Sequence, residues 1–213
     1  MVEEDDFSDA EEDRRVEEER WRQEKAALRR AATELALRRA NEEAATLADL
    51  ARIGEDDSFQ MISKSLDDPS EDVRNAAVRA LYDLNPTLTA SFFNAALREA
   101  SPERRRKIGA ALAGSGLVSV AINNLTGESH ENTYGAFSLL FLMAKAGEVQ
   151  PLMRVIGNHP SIELRLAVIK LLALSGEPGI VPAFRRLAER SSLPSELRSA
   201  VMEAISQITS KAR

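Results

Sequence analysis

Apolar residues recur in this chain at helical spacing. Val73, Ala77, Ala80 and Leu81 are separated by four, three and one residues, and Leu164, Val168, Leu171 and Leu172 repeat those separations. Such intervals put side chains on one face of a 3.6-residue helix. The same frame reads Arg104, Ile108, Ala111, Leu112, then Gly135, Leu139, Leu142, Met143, and lastly Leu197, Val201, Ala204, Ile205. Shorter segments between these stripes carry Phe59, Ile62, Leu66; Leu88, Phe92, Ala96; Leu117, Ala121, Leu125; Val149, Met153, Ile156; and Ile180, Phe184, Leu187. The pattern predicts a short A helix followed by a longer B helix, repeated about five times.

Capping residues punctuate the same frame. Ser70/Asn85, Ser101/Gly116, Asn132/Gly147 and Ser161/Gly176 are each fifteen residues apart, and their openers recur at intervals of 31, 31 and 29. Ser or Asn at an N-cap accepts from an orphan backbone N–H, and Gly or Asn beyond the last turn takes the left-handed conformation that ends a helix. One such pair cannot cover its own apolar faces, so the pairs must stack, which assigns residues 55–213 to a repeat domain. An insertion at 191–194 precedes the last B helix. Its polar flank, Arg198, Ser199, Glu203, Ser206 and Gln207, suits the exposed end of a stack.

Upstream, residues 14–54 form a long helix in this reading, free of Gly and Pro until Gly54. Leu37, Ala40, Ala44, Leu47 and Ala51 give its second half a face for capping the array. Trp21, Leu28 and Leu35 are seven residues apart, but Glu24, Lys25, Arg38 and Arg39 intervene, and a solvated charged helix is the simpler reading. Residues 1–13 hold eight acids and no base, the composition of a disordered tail.

Composition narrows the function classes. Aromatic residues are only 5% of the chain while alanine is abundant, which favours close helix packing and an all-α fold. The absence of cysteine excludes disulfides, thiolate metal sites and cysteine nucleophiles. No apolar run approaches the roughly 20 residues of a membrane span, and the acidic start does not resemble a signal peptide. The chain as given is expected to be cytoplasmic, without a membrane. Residues 47–213 carry nineteen bases and nineteen acids, so the array has no net charge with which to bind nucleic acid.

Asp68-Pro69-Ser70-Glu71-Asp72-Val73-Arg74-Asn75-Ala76-Ala77-Val78-Arg79-Ala80-Leu81 resembles the signature of HEAT and HEAT-like repeats, including those of the PBS-lyase type. Pro160-Ser161-Ile162-Glu163-Leu164-Arg165 and Ser195-Glu196-Leu197-Arg198 are weaker copies, and residues 55–210 are similar to bacterial HEAT-repeat proteins. The resemblance implies a right-handed α-α superhelix, a curved solenoid with B helices lining the inner face. It also implies that an acid near each turn pairs with an Arg six residues later, in a ladder linking adjacent repeats. Those pairs here are Asp68/Arg74 and Glu99/Arg105, then His130/Ala136 and His159/Arg165. Both histidines thus fall on one rung, where a structural turn role is favoured over metal or pH sensing.

No catalytic constellation is legible: there is no Gly-rich phosphate loop, G-x-S-x-G elbow or H-E-x-x-H pair. The expected function is therefore non-enzymatic, with no catalytic residue, metal or cofactor. Two surface features stand out. Arg104, Arg105, Arg106 and Lys107 open the second B helix, either as a solvated charge run or as an anion site. The second is an arc off the buried stripe, at positions 2, 5 and 9 of each B helix. It reads Asp72, Asn75, Arg79 in the first repeat; Glu103, Arg106, Ala110 in the second; Tyr134, Phe137, Phe141 in the third; and Glu163, Leu166, Lys170 in the fourth. A polar face becomes aromatic at the centre of the array. The rings either fill gaps or form a hot spot for a protein or peptide, with Tyr134, Phe137, Phe141 and Leu166 as anchors and Arg79, Arg106, Glu163 and Lys170 as a rim. An accessory or lyase-like enzyme of the HEAT-like group, acting on a cofactor or modified substrate, is the alternative.

Overall fold

The computed structural model describes residues 5–55, 57–127, 129–190 and 192–211, with side chains from residue 17 onward except those of Glu131 and Lys211. The chain divides into two compact units, Met1–Glu43 and Ala44–Arg213. Helix α1, Asp5–Ile53, crosses the boundary between them. It is already formed at Asp5, within the stretch that composition assigns to a tail, and residues 1–4 lie outside the described residues. No Gly or Pro interrupts the run. In the first unit Trp21, Leu28 and Leu35 are exposed, Lys25 lies over the Trp21 ring at 4.4 Å, and Arg22–Glu18 and Arg38–Glu34 pair one turn apart. These features fit a solvated helix.

The second unit is an all-α array of stacked helix pairs, as the periodicity predicts, and it fits the HEAT-like solenoid that the resemblance implies. The A helices are α2 (Ser58–Lys64), α4 (Pro86–Glu99), α6 (Val118–Asn124), α8 (Gln150–Asn158) and α10 (Val181–Ala188). The B helices are α3 (Glu71–Leu84), α5 (Pro102–Gly114), α7 (His130–Lys145), α9 (Ile162–Ser175) and α11 (Ser195–Lys211). The B helices touch in succession from α3 to α11, while α2 packs on α3, α6 on α7, α8 on α9 and α10 on α11. Val73, Ala77, Ala80, Leu81, Ile108, Ala111, Leu112, Leu139, Leu142, Met143, Leu164, Val168, Leu171 and Leu172 are all buried, as the common frame requires. In the last stripe Ile208 is buried and Ile205 half-buried.

The predicted closures hold at glycine. Gly54, Gly116, Gly147 and Gly176 have φ of 67°, 79°, 91° and 68°, a region in which a Cβ meets the following carbonyl. Asn85 departs from the expectation, with φ −159° and ψ 97°. It is the N-cap of α4, its Oδ1 accepting from Leu88 N at 2.9 Å, and Pro86 directly behind it starts the new helix. The inward face of α4 consequently shifts by one residue. Thr89, Phe93 and Leu97 are buried instead of Leu88, Phe92 and Ala96, and Thr89 Oγ1 donates to the Leu81 carbonyl at 2.7 Å. Phe93 stacks on Tyr82 at 6.4 Å and Phe92 meets Phe59 edge-on at 5.7 Å, tying α4 to α3 and α2. A second departure concerns Asn132. The N-cap of α7 is Ser129, whose Oγ accepts from Asn132 N at 3.4 Å, so α7 starts earlier and His130 is its first residue, away from the turn rung.

In the first, second, fourth and fifth repeats an arginine clamp within the repeat stands where the acid–Arg ladder between repeats was expected. Arg74 donates to the Asp68 and Pro69 carbonyls at 2.6 and 2.9 Å, Arg105 to Leu97 at 2.9 Å, Arg165 to Ile156 at 2.6 Å and Arg198 to Arg190 at 3.0 Å. These acceptors lie at or just beyond the C-terminal ends of A helices, where carbonyls lack intrahelical partners. The rung acid faces its own turn: Asp68 Oδ1 accepts from Ser70 N at 2.7 Å. His159 Nδ1 does the same for Ser161 N at 3.1 Å, which gives this histidine a turn role. The third repeat has Ala136 in place of the clamp, and there Thr133 Oγ1 lies 3.2 Å from the Asn124 carbonyl and 3.1 Å from that of Gly127. Replacing His159 by Ala should cost about 1 kcal/mol, the usual worth of one hydrogen bond, and His159→Asp should retain most of it by restoring the Asp68 arrangement. Urea midpoints of the two variants measure the difference.

Candidate partner-binding site

Helix α7 is apolar around most of its circumference because it sits mid-array with neighbours on several sides. Ala136, Leu139, Leu140, Leu142 and Met143 are buried, and α5, α6, α9 and α4 all pack against it. The arc carrying Tyr134, Phe137, Ser138 and Phe141 faces α4. Phe137 and Phe141, one turn apart, stack with centroids 5.7 Å apart and planes 16° from parallel. Both are half-buried, and with Ala90, Ser91 and Asn94 of α4 they line a shallow cavity of about 230 Å³. Tyr134 is different: it remains 64% exposed.

Tyr134 and Ser138 also line a second, larger cavity of about 440 Å³, so the two concavities meet along α7. The larger one lies between the end of α3 (Tyr82, Asp83), the start of α4 (Pro86, Thr87), α6 (Val120, Ala121, Asn124) with its N-cap Leu117, and the first half of α7. Among its lining residues is Tyr82, only 9% exposed, whose hydroxyl is buried with no hydrogen-bond partner among the described residues. Burial raises the pKa of this phenol well above its ordinary value, and the group stays neutral.

The remaining sequence-predicted residues lie elsewhere. Arg79 lines another groove, of about 480 Å³, with Asp72, Asn75 and Gly114, together with Ala44 and Ala48 at the end of α1; Asp83 borders both this groove and the larger cavity. Lys170 lines a further groove, of about 250 Å³, between α9 and α11 beside Glu203 and Gln207. Leu166 is half-buried and Arg106 and Glu163 are exposed, outside the cavities just described. The structure therefore assembles the three aromatic residues and leaves the charged rim dispersed. The cause lies in α4 and α5. A helix belonging to another pair, α4, lies along the aromatic arc. Helix α5 meets its neighbours out of register: Gly114, at its end, lies against Asn75 in the first half of α3, and Gly109 against Ala146 and Glu148 beyond the end of α7.

The basic run of α5 is largely committed to partners in the chain. Arg104 pairs with Asp67 at 3.2 Å, Lys107 with Glu103 at 3.0 Å, and Arg105 approaches Glu177 at 3.8 Å while clamping Leu97. The hydrogen bond from Lys107 holds the Glu103 carboxyl below its ordinary pKa. This dispersal fits a solvated charge run. Among the described residues no three of His, Asp or Glu converge as metal ligands, and no helix is long and apolar enough to cross a membrane.

Residues 59–88 match the HEAT repeat family. This span holds α2, α3 and the opening of α4, the segment whose sequence carries the fullest signature. A designed armadillo repeat protein aligns over 78% of this chain and 92% of its own, at 20% identity and a TM-score of 0.24. No curated protein matches the chain.

Sequence periodicity did not reveal Tyr82, Asp83, Val120 and Asn124, nor the α4 residues Ala90, Ser91 and Asn94. A periodic frame places each residue on a face of its own helix, whereas both cavities are shared between A and B helices. The one available signal was Asn85-Pro86, an N-cap and first-turn pair that starts α4 at once and sets its register.

Proposed function

We propose that this chain is a non-enzymatic recognition array that binds a protein or peptide through the strip formed by α7 and α4. Tyr134, Phe137 and Phe141 anchor the partner. Leu166 and the charged Arg79, Arg106, Glu163 and Lys170 lie farther out and tune approach rather than grip. The observation that carries this reading is the exposed Tyr134 ring beside a stacked aromatic pair, at positions where the other repeats carry no aromatic residue and are mostly polar. Aromatic side chains supply large contact area at low entropic cost, and a pre-ordered helical surface loses little freedom on binding.

The combined change Phe137→Ala and Phe141→Ala should abolish capture of the partner in a pull-down. Because these rings are half-buried, Tyr134→Ala serves beside them as a change at an exposed position, expected to weaken capture with the melting temperature unchanged. Undiminished capture by all of these variants, with the array folded by circular dichroism, would refute the site.

A further inference from the structure

The larger cavity has a chemistry of its own. Its walls are mostly apolar, from Pro86, Leu117, Val120, Ala121 and Leu139, and its neutral polar groups include Thr87, Asn124, Asn132 and Ser138. A single ionised side chain, Asp83, lines it, and that carboxylate is exposed and forms no ion pair among the described residues. No lysine, arginine or histidine lines this cavity; Asp83 also borders the groove toward Gly114, and Arg79, one turn before it, lines that groove and not this cavity. Tyr82 lines the cavity, and its buried hydroxyl has no hydrogen-bond partner among the described residues. At the mouth stand the Tyr134 ring and Val120, 64% and 58% exposed.

A neutral apolar occupant would leave Tyr82 and Asp83 unanswered, and an anion would face an uncompensated carboxylate. An alkyl stem ending in a cation meets every feature. The stem lies along apolar wall as long basic side chains do, and the planar head stacks on an exposed tyrosine face. Its N–H groups donate to a carboxylate, a phenolic oxygen and amide oxygens, all of which accept. We propose that this cavity receives an arginine side chain of the partner protein, with Asp83 as its counter-ion, the Tyr82 oxygen as a buried acceptor and the Tyr134 ring as its lid. This rests on the recognition role proposed for the adjoining strip, and it specifies the partner: a segment presenting arginine next to an apolar residue that fills the Phe137/Phe141 concavity.

The test titrates N-acetyl-arginine-methylamide into the full isotope-labelled chain and follows amide shifts. The probe contains none of the aromatic-strip contacts, so its result is independent of partner capture. Saturable shifts are expected at Tyr82, Asp83, Val120, Asn124 and Tyr134. The citrulline analogue, equal in shape and uncharged, should bind more weakly or not at all, as should the glutamate analogue. Asp83→Asn, at an exposed position, and Tyr82→Phe should each reduce the arginine response. Tyr82→Phe should also leave the melting temperature unchanged or raised, because the hydroxyl it removes is unsatisfied. Equal binding of citrulline, absence of saturation, or an arginine response unaffected by both variants would overturn the proposal. Such failure beside intact loss of capture in Phe137→Ala/Phe141→Ala would refute the arginine pocket alone; undiminished capture in that double variant would refute the strip.

Discussion

Truncating Leu172 to Ala is expected to lower the stability of the array by roughly 2–5 kcal/mol, the range for deleting a buried leucine side chain that leaves a cavity behind. Leu172 is completely buried on α9, and α9 packs against α7, α8 and α11. In a stacked array each repeat is stabilised chiefly by its neighbours, so a defect in an interior B helix weakens interfaces on both sides. Met202, on the exposed side of α11, provides the comparison. Its replacement by Ala should stay within about 0.5 kcal/mol of the parent, as surface changes generally do. Thermal and urea unfolding of the two variants measure the contrast; equal midpoints would place Leu172 outside the core.

Arg165→Ala is expected to cost roughly 1.5–3 kcal/mol, the range for a hydrogen bond made by a charged group. Arg165 is the buried member of the clamp set, and its Nε donates to the Ile156 carbonyl at 2.6 Å at the end of α8. Removing it takes the donor from a buried carbonyl, and an unpaired buried acceptor costs its full desolvation. The more exposed Arg198 also caps a helix end, but water can replace it there. Arg198→Ala should therefore cost less than Arg165→Ala in the same unfolding experiment. Arg165→Lys should recover only part of the loss, since an ammonium lacks the fixed planar donor geometry. Equal effects at the two positions would show that the clamp acts through surface charge and not through the buried carbonyl.

Much of the fold was legible because helix periodicity and caps are local. The stripe from Val73 to Leu81 and its copies needed only intervals of three and four, and the left-handed closures needed only glycine at the right distance. The misreadings share a different origin. Asn85 can serve either end of a helix, and the proline after it decided in favour of a start. The inward turn of Thr89 follows from that choice and from a carbonyl three-dimensionally close but eight residues away. Arg74, Arg105, Arg165 and Arg198 were visible as a recurring arginine, yet their partners are backbone carbonyls, which leave no mark in a comparison of side chains.

The candidate site was half legible for the same reason. A shared frame identified Tyr134, Phe137 and Phe141 as a break in a polar series, and the structure brings these three together. It could not locate Arg79, Arg106, Glu163 and Lys170 relative to them, because that depends on how α4 and α5 lie between neighbouring pairs. Tyr82 and Asp83 lie near the end of the first B helix and appear unremarkable in one dimension. Only packing between α3, α4, α6 and α7 makes them walls of a cavity.

The recognition role of the α7/α4 strip is tested most directly by site-specific photocrosslinking. A benzoylphenylalanine is placed at Tyr134 and, in a parallel protein, at Met202, with both chains offered the same mixture of candidate partners. A discrete adduct is expected from position 134, absent from position 202 and lost when Phe137 and Phe141 are also changed to Ala in a chain that still folds. Identical adducts from the two positions, or none from 134 while the tagged chain still captures a partner, would contradict a partner site on α7.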